Sequence, residues 1–483
     1  MPPRLPIAAA YAVVCAALVT GSLRATTAAQ AQRATRITWE DTAPIRARLE
    51  AHGLTSTSFA SYVARVGREN AARVREGDLD HLVFYLLQST HFTALPPVEP
   101  ALSAKALVES LGSGERETFL RGSGLASSRL AAPVRSRAAA LERALDSSDR
   151  DPRLVYFRQL VKATVPNRAD RSAALLREYS RVMQFIYKKE FVAQRSGPSA
   201  VAELYRARGL STDTEVEAGY LVYLGLGVVR SLDPDRRIRR VLIVGPGLDL
   251  APRTALLETS PPESYQPWTV IDALLALGLS RTGDLEIVGA DINPRVVTHL
   301  RREHGAPPTL TLVSGIRESD TISFSDDYRD YFTAVGRAIA PADTGAAQGK
   351  AASTGSTTVT GGHLRKTVAV GAAAARALDA ETLDIVTERL DRPGFDLIIA
   401  TNILPYFDDL QLTLAMTNIA GMLAPGGVLL HNEPRPLLGE LTADLKLPLV
   451  QARTAVIATV KGSSTPLYDS AFIHVKTAAA GSR

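Results

Sequence analysis

The stretch from Val241 to Asp249 limits the fold more than any other part of the chain. It reads Val-Leu-Ile-Val-Gly-Pro-Gly-Leu-Asp, so a run of apolar residues leads straight into a glycine-rich turn. An apolar, β-branched run of this kind predicts a strand buried in a parallel sheet. Gly245 and Gly247 lack a Cβ, which lets the backbone turn sharply and lets a ligand approach its amides. Taken alone, the motif fits a tight turn without a ligand about as well as a ligand site.

Three later stretches also place an apolar strand next to a turn or a polar residue. Residues 285–294 contain a second predicted strand that ends in Asp291, and residues 395–402 contain a third that ends in Asn402. Residues 423–430 hold a Pro-Gly-Gly turn that leads into a fourth strand. Polar residues at the carboxyl ends of parallel strands are placed where ligands bind in open α/β sheets.

Two β-rich runs, 454–460 and 471–475, are joined by a Gly/Ser/Pro turn, which is typical of an antiparallel hairpin. With this hairpin, the ordered strands resemble the class I S-adenosylmethionine-dependent methyltransferases over about residues 237–476. The resemblance implies an α/β fold with a Rossmann-like, seven-stranded, mostly parallel sheet that ends in an antiparallel hairpin. It also implies S-adenosylmethionine as the cofactor.

Other nucleotide-binding folds match the glycine turn less well. A dinucleotide-binding unit has a third small residue in the turn and an acid about 20 residues further on. Here the third position is Leu250, and Asp291 follows Gly247 by 44 residues. No Gly-Lys-Ser/Thr follows the turn, so the chain lacks a P-loop at this point.

The resemblance assigns the glycine turn to the amino-acid part of the cofactor. The backbone amides of Gly245, Pro246 and Gly247 would surround that part of the molecule, with proline contributing no N–H. The family commonly has an acid before the turn and a third glycine in it, where this chain has Val244 and Asp249. Asp249 would bind the cofactor's ammonium group directly or cap the helix that follows.

The remaining cofactor contacts are assigned by the same resemblance. Asp291 would accept hydrogen bonds from both ribose hydroxyls, with Ile292 beside it. Asp384 would accept a hydrogen bond from the adenine amino group, with Ile385 packed on the ring. Asn402 would hold the backbone geometry near the methyl group.

The acceptor is less clearly indicated. Residues 402–408 read Asn-Ile-Leu-Pro-Tyr-Phe-Asp, which is closer to chemotaxis-receptor (CheR-like) carboxyl methyltransferases than to the Asn/Asp-Pro-Pro-Tyr signature of nitrogen methyltransferases. No stretch matches the receptor-docking subdomain of that family, so only its cofactor site is carried over. A small-molecule or carboxyl acceptor is the resulting expectation.

Candidate substrate residues lie in two places. Residues 260–268 are rich in proline and predict a rigid loop before an apolar helix at 270–279. That loop would place Tyr265, Gln266 and Trp268 over the strand ends, although a loop simply packed on the sheet is the more common outcome. Tyr406, after the third strand, is the other candidate.

His431 and Glu433, just past the fourth strand, are the best-placed candidates for a general base, and structural roles for both are equally open. No metal is expected. The eight histidines include no H-x-H or H-x-x-x-H spacing, and the only cysteine is Cys15.

The N-terminal residues resemble a segment that directs a protein to or across a membrane. Residues 1–31 combine a basic start, an apolar run and an Ala-Gln-Ala cleavage-like site, as in a signal peptide or a membrane anchor through residues 5–23. Export to the periplasm or the extracellular space is the favoured expectation. Arg24, Arg33 and Arg36 follow the apolar run, so an uncleaved anchor that leaves the protein facing the cytoplasm is the alternative.

Residues 32–230 predict an all-helical region. Asp78-Leu79-Asp80 is expected to cap one helix, Asp170 leads a second with a single apolar face, and residues 215–229 form a third. The charge run at 188–190 is interpreted as a solvated face. In methyltransferases of this type, the segment before the first strand often covers the cofactor.

The methyltransferase-like domain is expected to span residues 231–477, with an insertion at about 317–366 that is flexible at 344–362, and a disordered tail at 478–483. The net charge is +5, but only nine of the 55 basic residues are lysines and no aromatic-interleaved basic cluster occurs. Nucleic-acid binding is therefore not expected. The oligomeric state cannot be read from these patterns.

The sequence thus predicts methyl transfer from S-adenosylmethionine to an unidentified acceptor. A protein that keeps the fold and the ligand without catalysis is the alternative. An aminopropyl transferase is a weaker one, since no acidic cluster suited to a polyamine is visible.

Overall fold

A computed structural model of the chain describes residues 34–122, 124–125, 129–193, 198–250, 261–341 and 355–477. The predicted leader at 1–31, the tail at 478–483 and most of the loop predicted at 344–362 lie outside these described residues. No helix within the described ranges is long and apolar enough to cross a membrane.

The region before the main sheet is mainly helical. Its helices are α1 (Arg46–Ala51), α2 (Ser56–Gln88), α3 (Pro100–Glu109), α4 (Ser113–Leu120), α5 (Ala132–Leu145), α6 (Pro152–Thr164), α7 (Arg171–Tyr187), α8 (Pro198–Arg206) and α9 (Val216–Leu232). A short strand, β1 (Ala34–Arg36), pairs antiparallel with β9 (Glu388–Leu390) of the following domain. The prediction of an all-helical region is therefore corrected to a mainly helical one.

The predicted helix start at Asp78 is wrong. α2 runs unbroken through this position, and it begins after Thr55, whose side chain forms a capping box with Ser58. Asp78 has no exposed surface and accepts hydrogen bonds from Tyr156 at 2.6 Å and Asn293 at 3.0 Å. A short polar residue in mid-helix resembles a cap in sequence, but here its carboxylate is satisfied by residues distant in the chain.

The main sheet has eight strands in the order β5-β12-β13-β11-β10-β2-β3-β8. The strands are β2 (Arg240–Val244), β3 (Glu286–Asp291), β5 (Ile322–Phe324), β8 (Leu378–Thr382), β10 (Phe395–Ala400), β11 (Leu423–His431), β12 (Leu449–Val460) and β13 (Leu467–Val475). The five strands from β11 to β8 are parallel, and β13, β12 and β5 continue the sheet antiparallel. The mostly parallel sheet with a terminal hairpin is confirmed, with an eighth strand where seven were expected.

The insertion explains that extra strand. β5 pairs with the outer edge of β12 and is followed by α12 (Asp326–Ala334). The strand predicted at 310–314 is present as β4 (Thr309–Val313), but it belongs to a separate three-stranded sheet with β7 (His363–Ala369) and β6 (Thr358–Thr360). The third parallel strand of the main sheet is β8 instead, which follows an alanine-rich run and carries no distinctive motif.

The other helices of this domain are α10 (Gln266–Ala276), α11 (Pro294–Gly305), α13 (Ala372–Ala375), α14 (Asp409–Met422) and α15 (Leu437–Asp444). α10 begins earlier than predicted, so Gln266 and Trp268 are helical rather than in a loop. Pro267 occupies its first turn, where the missing proline N–H breaks no helical hydrogen bond.

Both faces of the sheet are covered. Val241 and Ile243 point to the side packed by α9, α10 and α11, whereas Leu242 and Val244 point to the side packed by α2 and α14. All four side chains are buried, as the period of two in a strand requires when both faces are covered. The helical region thus packs directly on the sheet and reaches its carboxyl edge.

Candidate active site

The glycine turn after β2 adopts a backbone that requires glycine. Gly245 has φ of 68° and Gly247 has φ of 75°, both in the left-handed region. A Cβ on Gly245 would lie 2.4 Å from the Ile403 side chain, and one on Gly247 would lie 2.6 Å from the Thr212 carbonyl oxygen. The turn is therefore held between the segment before α9 and the end of β10.

A cavity of about 600 Å³ opens beside this turn. Its floor is the carboxyl edge of β2, β3, β8 and β10, and its cover is the helical region. The predicted site residues that line it are Gly245, Pro246, Gly247, Asp291, Ile292, Asp384, Ile385, Asn402, Gln266 and Tyr406. Residues predicted from motifs up to about 160 positions apart thus meet at one site of a size usual for small ligands.

Asp291 ends β3 and faces the glycine turn. Its Oδ2 accepts a hydrogen bond from the Gly247 amide at 3.4 Å, and its Oδ1 accepts one from the Asn293 amide at 2.8 Å. Burial raises the pKa of Asp291 to about 6, and the nearby carboxylate of Asp78 contributes in the same direction. The site therefore holds a carboxylate whose charge is only partly compensated.

Asp384 follows β8, the strand that pairs with β3, and it lines the same cavity as Asp291. Asn70, near the middle of α2, donates its Nδ2 to both carboxylate oxygens at 3.1 and 3.3 Å. The Val386 amide donates to the same carboxylate at 3.1 Å. Burial raises the pKa of Asp384, and these hydrogen bonds oppose the rise.

Asn402 follows β10 and has φ of 61°, which is uncommon for a residue other than glycine. Its backbone N–H and its side chain are both hydrogen-bonded to Asn432, at 2.9 and 2.7 Å. Asn432 is in turn bonded to Asp469 on β13 at 2.9 Å. The position next to the glycine turn is thus fixed by one side chain that follows β11 and one on β13.

An aromatic wall closes the cavity on the helical side. Phe185, Tyr205 and Tyr406 contact edge to face, with ring centroids 5.8 and 5.5 Å apart. The Arg208 guanidinium lies 4.2 Å from the Phe185 ring centre, and it pairs with Asp80 at 2.9 Å. Burial raises the pKa of Tyr406 to about 12, although Arg208 opposes this.

The charge run at 188–190 is not simply a solvated face. These residues form a π-helical extension of α7, and Lys189 and Glu190 line the cavity as an ion pair of 3.2 Å. A wide helical turn of this kind is common at functional sites.

The other two substrate candidates from the predicted loop, Tyr265 and Trp268, do not line the cavity. Tyr265 donates a hydrogen bond to Asp249 at 3.4 Å, and neither of these residues lines it. Trp268 is fully buried and donates to Glu303 at 3.3 Å. Residues 251–260, which follow Asp249, lie outside the described residues, so its expected role as a helix cap stays a prediction.

His431 and Glu433 line a second cavity of about 570 Å³ that shares no lining residue with the first. His431 Nε2 lies 3.0 Å from His474 Nε2, and Glu433 pairs with Arg435 at 3.5 Å. Their role as a general base stays a prediction, but the fold does not bring them to the glycine turn.

Metal-binding side chains do not cluster within the described ranges, where no group of three or more His, Cys, Asp or Glu could hold an ion. The expectation of no metal stays a prediction.

Sequence reasoning missed the residues that the helical region contributes, above all Asn70 and Arg208. Asn70 lies on the buried side of α2, and its partner Asp384 is 314 positions away. No local pattern reports such a pairing. The available signal in the sequence was an asparagine at helical spacing from Val66 and Val74, which are apolar. A polar residue on such a face becomes buried, and a buried amide requires a partner.

No protein-family model matches this sequence, and no curated protein matches it. Solved structures that it matches include the N-methyltransferase NodS from Bradyrhizobium japonicum WM9 in complex with S-adenosyl-l-homocysteine, at 12% identity over 53% of this chain and 87% of that one, with a TM-score of 0.26. The CurJ carbon methyltransferase matches at 13% identity over 91% and 99%, with a TM-score of 0.29.

The magnesium protoporphyrin IX methyltransferase ChlM from Synechocystis PCC 6803, with bound S-adenosylmethionine, matches at 9% identity over 60% of this chain and 94% of that one, with a TM-score of 0.27. In the main sheet, the strand that leads into the glycine turn, the strand that ends in Asp291 and the terminal hairpin occupy the places that the resemblance implied. The α/β domain of this chain has the fold of the class I S-adenosylmethionine-dependent methyltransferases.

Proposed function

We propose that this protein transfers a methyl group from S-adenosylmethionine to a small-molecule acceptor. The observation that carries the proposal is the position of Asp291, whose buried carboxylate stands beside the Gly247 amide at the carboxyl edge of the sheet. A carboxylate here can accept hydrogen bonds from both hydroxyls of a ribose. Burial has removed water from this carboxylate, so hydroxyl groups that donate to it supply hydrogen-bond partners that its charge otherwise lacks.

The residues of the cavity fit the rest of this cofactor. The backbone of Gly245 and Gly247 lines the cavity without side chains, so an amino-acid group can approach it closely. Asp384 and Ile385 line the cavity after β8, next to β3, where a hydrogen-bond acceptor and an apolar side chain suit an adenine ring. When bound, the cofactor supplies a methyl group already activated by the sulfonium charge. The protein's contribution is to align donor and acceptor and to exclude water.

The acceptor binds against the aromatic wall formed by Phe185, Tyr205 and Tyr406. It faces the cavity from the helical region and from the end of β10, on the side of Asn402. Aromatic side chains supply a large apolar contact area with little loss of conformational freedom, which suits a small organic molecule better than a folded protein.

We also propose that residues 1–31 direct the protein out of the cytoplasm or hold it at a membrane through residues 5–23, with a cytoplasm-facing anchor as the alternative. The support is the order of charged, apolar and small residues in the sequence. Fractionation of cells that express the full chain, with protease added to intact cells or spheroplasts, separates the two. Degradation of the domain without lysis supports export, whereas protection in the membrane fraction supports the alternative.

Turnover tests the proposed activity. The full-length protein is incubated with methyl-labelled S-adenosylmethionine and a small-molecule extract of the source cells, and S-adenosylhomocysteine and labelled product are followed. We expect both to form with wild-type protein and to be lost in Asp291→Ala, but not in Asp330→Ala, a matched change at an exposed residue of α12. Cofactor binding with no turnover from any fraction would instead favour a non-catalytic binding protein.

A further inference from the structure

The side chain of Asn402 has a fixed direction in the cavity. Asn402 lines the cavity and is exposed there, and the next residue, Ile403, packs against Gly245 of the turn. An asparagine amide has an accepting end and a donating end, so the end that faces the cavity decides which chemical groups it can bind.

The hydrogen bonds to Asn432 decide this direction. The backbone N–H of Asn402 can only donate, so the Asn432 atom 2.9 Å from it must be the accepting Oδ1. Asn432 therefore turns its Nδ2 to the Asn402 side chain, and the atom that Nδ2 meets at 2.7 Å must be Oδ1 of Asn402. The accepting end of Asn402 is held by this contact, so the end of the amide that remains for a ligand in the cavity is the donating Nδ2.

Asp469 fixes the same arrangement independently. Its Oδ2 accepts a hydrogen bond from Asn432 Nδ2 at 2.9 Å, and an ionised carboxylate has no hydrogen to donate in return. Its Oδ1 accepts from the Ser470 amide at 2.7 Å, so Asp469 is itself oriented. Asn432 and Asp469 are positioning residues: they act on the cavity only through Asn402.

We propose, on the basis of the proposed methyl transfer, that Asn402 presents N–H donors to the acceptor and that the acceptor atom is an oxygen without its proton, as in a carboxylate or a phenolate. An N–H donor pairs with the lone pairs of such an oxygen and orients it. It offers nothing to a protonated amine, which has only donors to present. The sequence of β10 and its turn does not distinguish these two classes, whereas the hydrogen-bond direction does.

This acceptor class needs no general base in the cavity. A carboxylate oxygen forms the new carbon–oxygen bond with its own lone pair, and the carbon–sulfur electron pair returns to sulfur. The products are a neutral methyl ester and a neutral thioether, and no proton has to leave. His431 and Glu433 can then lie in another cavity without loss of chemistry.

Three carboxylates that line the cavity on the helical side have partners within the protein, so they do not by themselves favour a cationic acceptor. Glu190 pairs with Lys189 at 3.2 Å, Asp213 with His81 at 3.2 Å, and Glu99 accepts a hydrogen bond from the Leu102 amide at 2.6 Å.

A swap of two side chains reverses the direction of Asn402 without changing size or net charge. In the double variant Asn432→Asp/Asp469→Asn, the new carboxylate accepts from the Asn402 amide, from the new asparagine and from Asn402 Nδ2. Asn402 must then turn its oxygen to the cavity. The readout is binding, by calorimetry, of S-adenosylhomocysteine and of sinefungin, the analogue with an amino group where the methyl group of the cofactor stands.

Wild-type protein should prefer S-adenosylhomocysteine, because the amino group of sinefungin meets an N–H donor. In the swap variant we expect the affinity ratio to move toward sinefungin by about tenfold, with S-adenosylhomocysteine affinity nearly unchanged. An unchanged ratio with intact S-adenosylhomocysteine binding would overturn the inference and leave the proposed function standing. Failure of the wild-type protein to bind either ligand would instead overturn the proposed function.

If the swap variant does not fold, Asn402→Gly tests the same inference. Glycine accepts the left-handed backbone at this position and removes the amide altogether. We expect the ratio to move in the same direction by a smaller factor. An unchanged ratio in this variant would also overturn the inference.

Discussion

Asn70 in α2 donates its side-chain amide to both carboxylate oxygens of Asp384, which follows β8, at 3.1 and 3.3 Å. The contact joins the helical region to the end of the cavity assigned to the adenine ring. Asn70 has no exposed surface, so water cannot replace it without rearrangement of the helix. The helical region is therefore part of the cofactor site as well as its cover.

Substitution of Asn70 should affect both binding and stability. In Asn70→Ala, the buried carboxylate of Asp384 loses its side-chain amide donor, and we expect the free energy of unfolding to fall by about 1–3 kcal/mol. S-adenosylhomocysteine affinity should fall at the same time, since Asp384 is no longer held in place. Chemical denaturation and calorimetry measure the two effects. Unaltered affinity in a folded variant would contradict a role for Asn70 in the site.

Cofactor affinity should depend on pH through Asp291. Burial raises the pKa of Asp291 to about 6. Ribose hydroxyls donate to the ionised carboxylate, so affinity is fully present above this pKa and is lost as the pH falls through it. We expect S-adenosylhomocysteine affinity to fall by up to about tenfold per pH unit below that value. In Asp291→Asn the profile should be flat, and an equally steep profile in that variant would assign the effect to another group.

The glycine turn should not tolerate a side chain. Gly245→Ala places a Cβ 2.4 Å from Ile403 in a left-handed backbone, so we expect a loss of about 1–3 kcal/mol in the free energy of unfolding and weaker cofactor binding. Gly227→Ala in α9 is the matched control, because no atom lies within 4 Å of its added Cβ. That variant should be at least as stable as wild type, since alanine favours a helix. Equal effects of the two substitutions would show that the turn has no special geometry.

The histidine pair of the second cavity should make the protein sensitive to acid. His431 Nδ1 accepts from the Glu433 amide at 3.2 Å, and His474 donates from Nδ1 to the Leu447 carbonyl at 2.9 Å. The remaining proton lies between the two Nε2 atoms, which are 3.0 Å apart. Every ring nitrogen is therefore engaged while both residues are neutral.

Burial lowers the pKa of His431 to about 3 and also lowers that of His474. The unfolded chain then binds more protons than the folded one as the pH falls below the ordinary histidine pKa, so stability decreases with acid. We expect His431→Gln to reduce the loss of stability between about pH 7 and pH 5 by about 2 kcal/mol. Buried carboxylates with raised pKa values act in the opposite direction, but they are common to both proteins. Identical pH slopes would contradict this assignment.

Local patterns predicted the parts of the site that lie on single strands and turns. The glycine turn, Asp291 and Asn402 each stand directly after an apolar run, so the fold of one segment places them at the sheet edge. The periodicity of α7 was equally readable, because its apolar face is formed by neighbouring turns of one helix.

Contacts between distant segments could not be predicted in this way. In the sequence, Asp78 resembles a helix cap. In the structure, its carboxylate accepts hydrogen bonds from Tyr156 and Asn293, which lie far away in the chain. β8 follows an alanine-rich run, and its place in the sheet depends on pairing with β3 rather than on its own residues. The direction of the Asn402 amide depends on Asn432, which follows β11, and on Asp469, which lies on β13.

The most direct test of the central claim is calorimetric titration of the full-length protein and of Asp291→Ala with S-adenosylhomocysteine. The account predicts binding to the wild-type protein in the micromolar range and an affinity at least about tenfold lower in the variant, with the fold retained. Absence of binding to the wild-type protein, or equal affinity in the two proteins, would contradict a cofactor site at the end of β3.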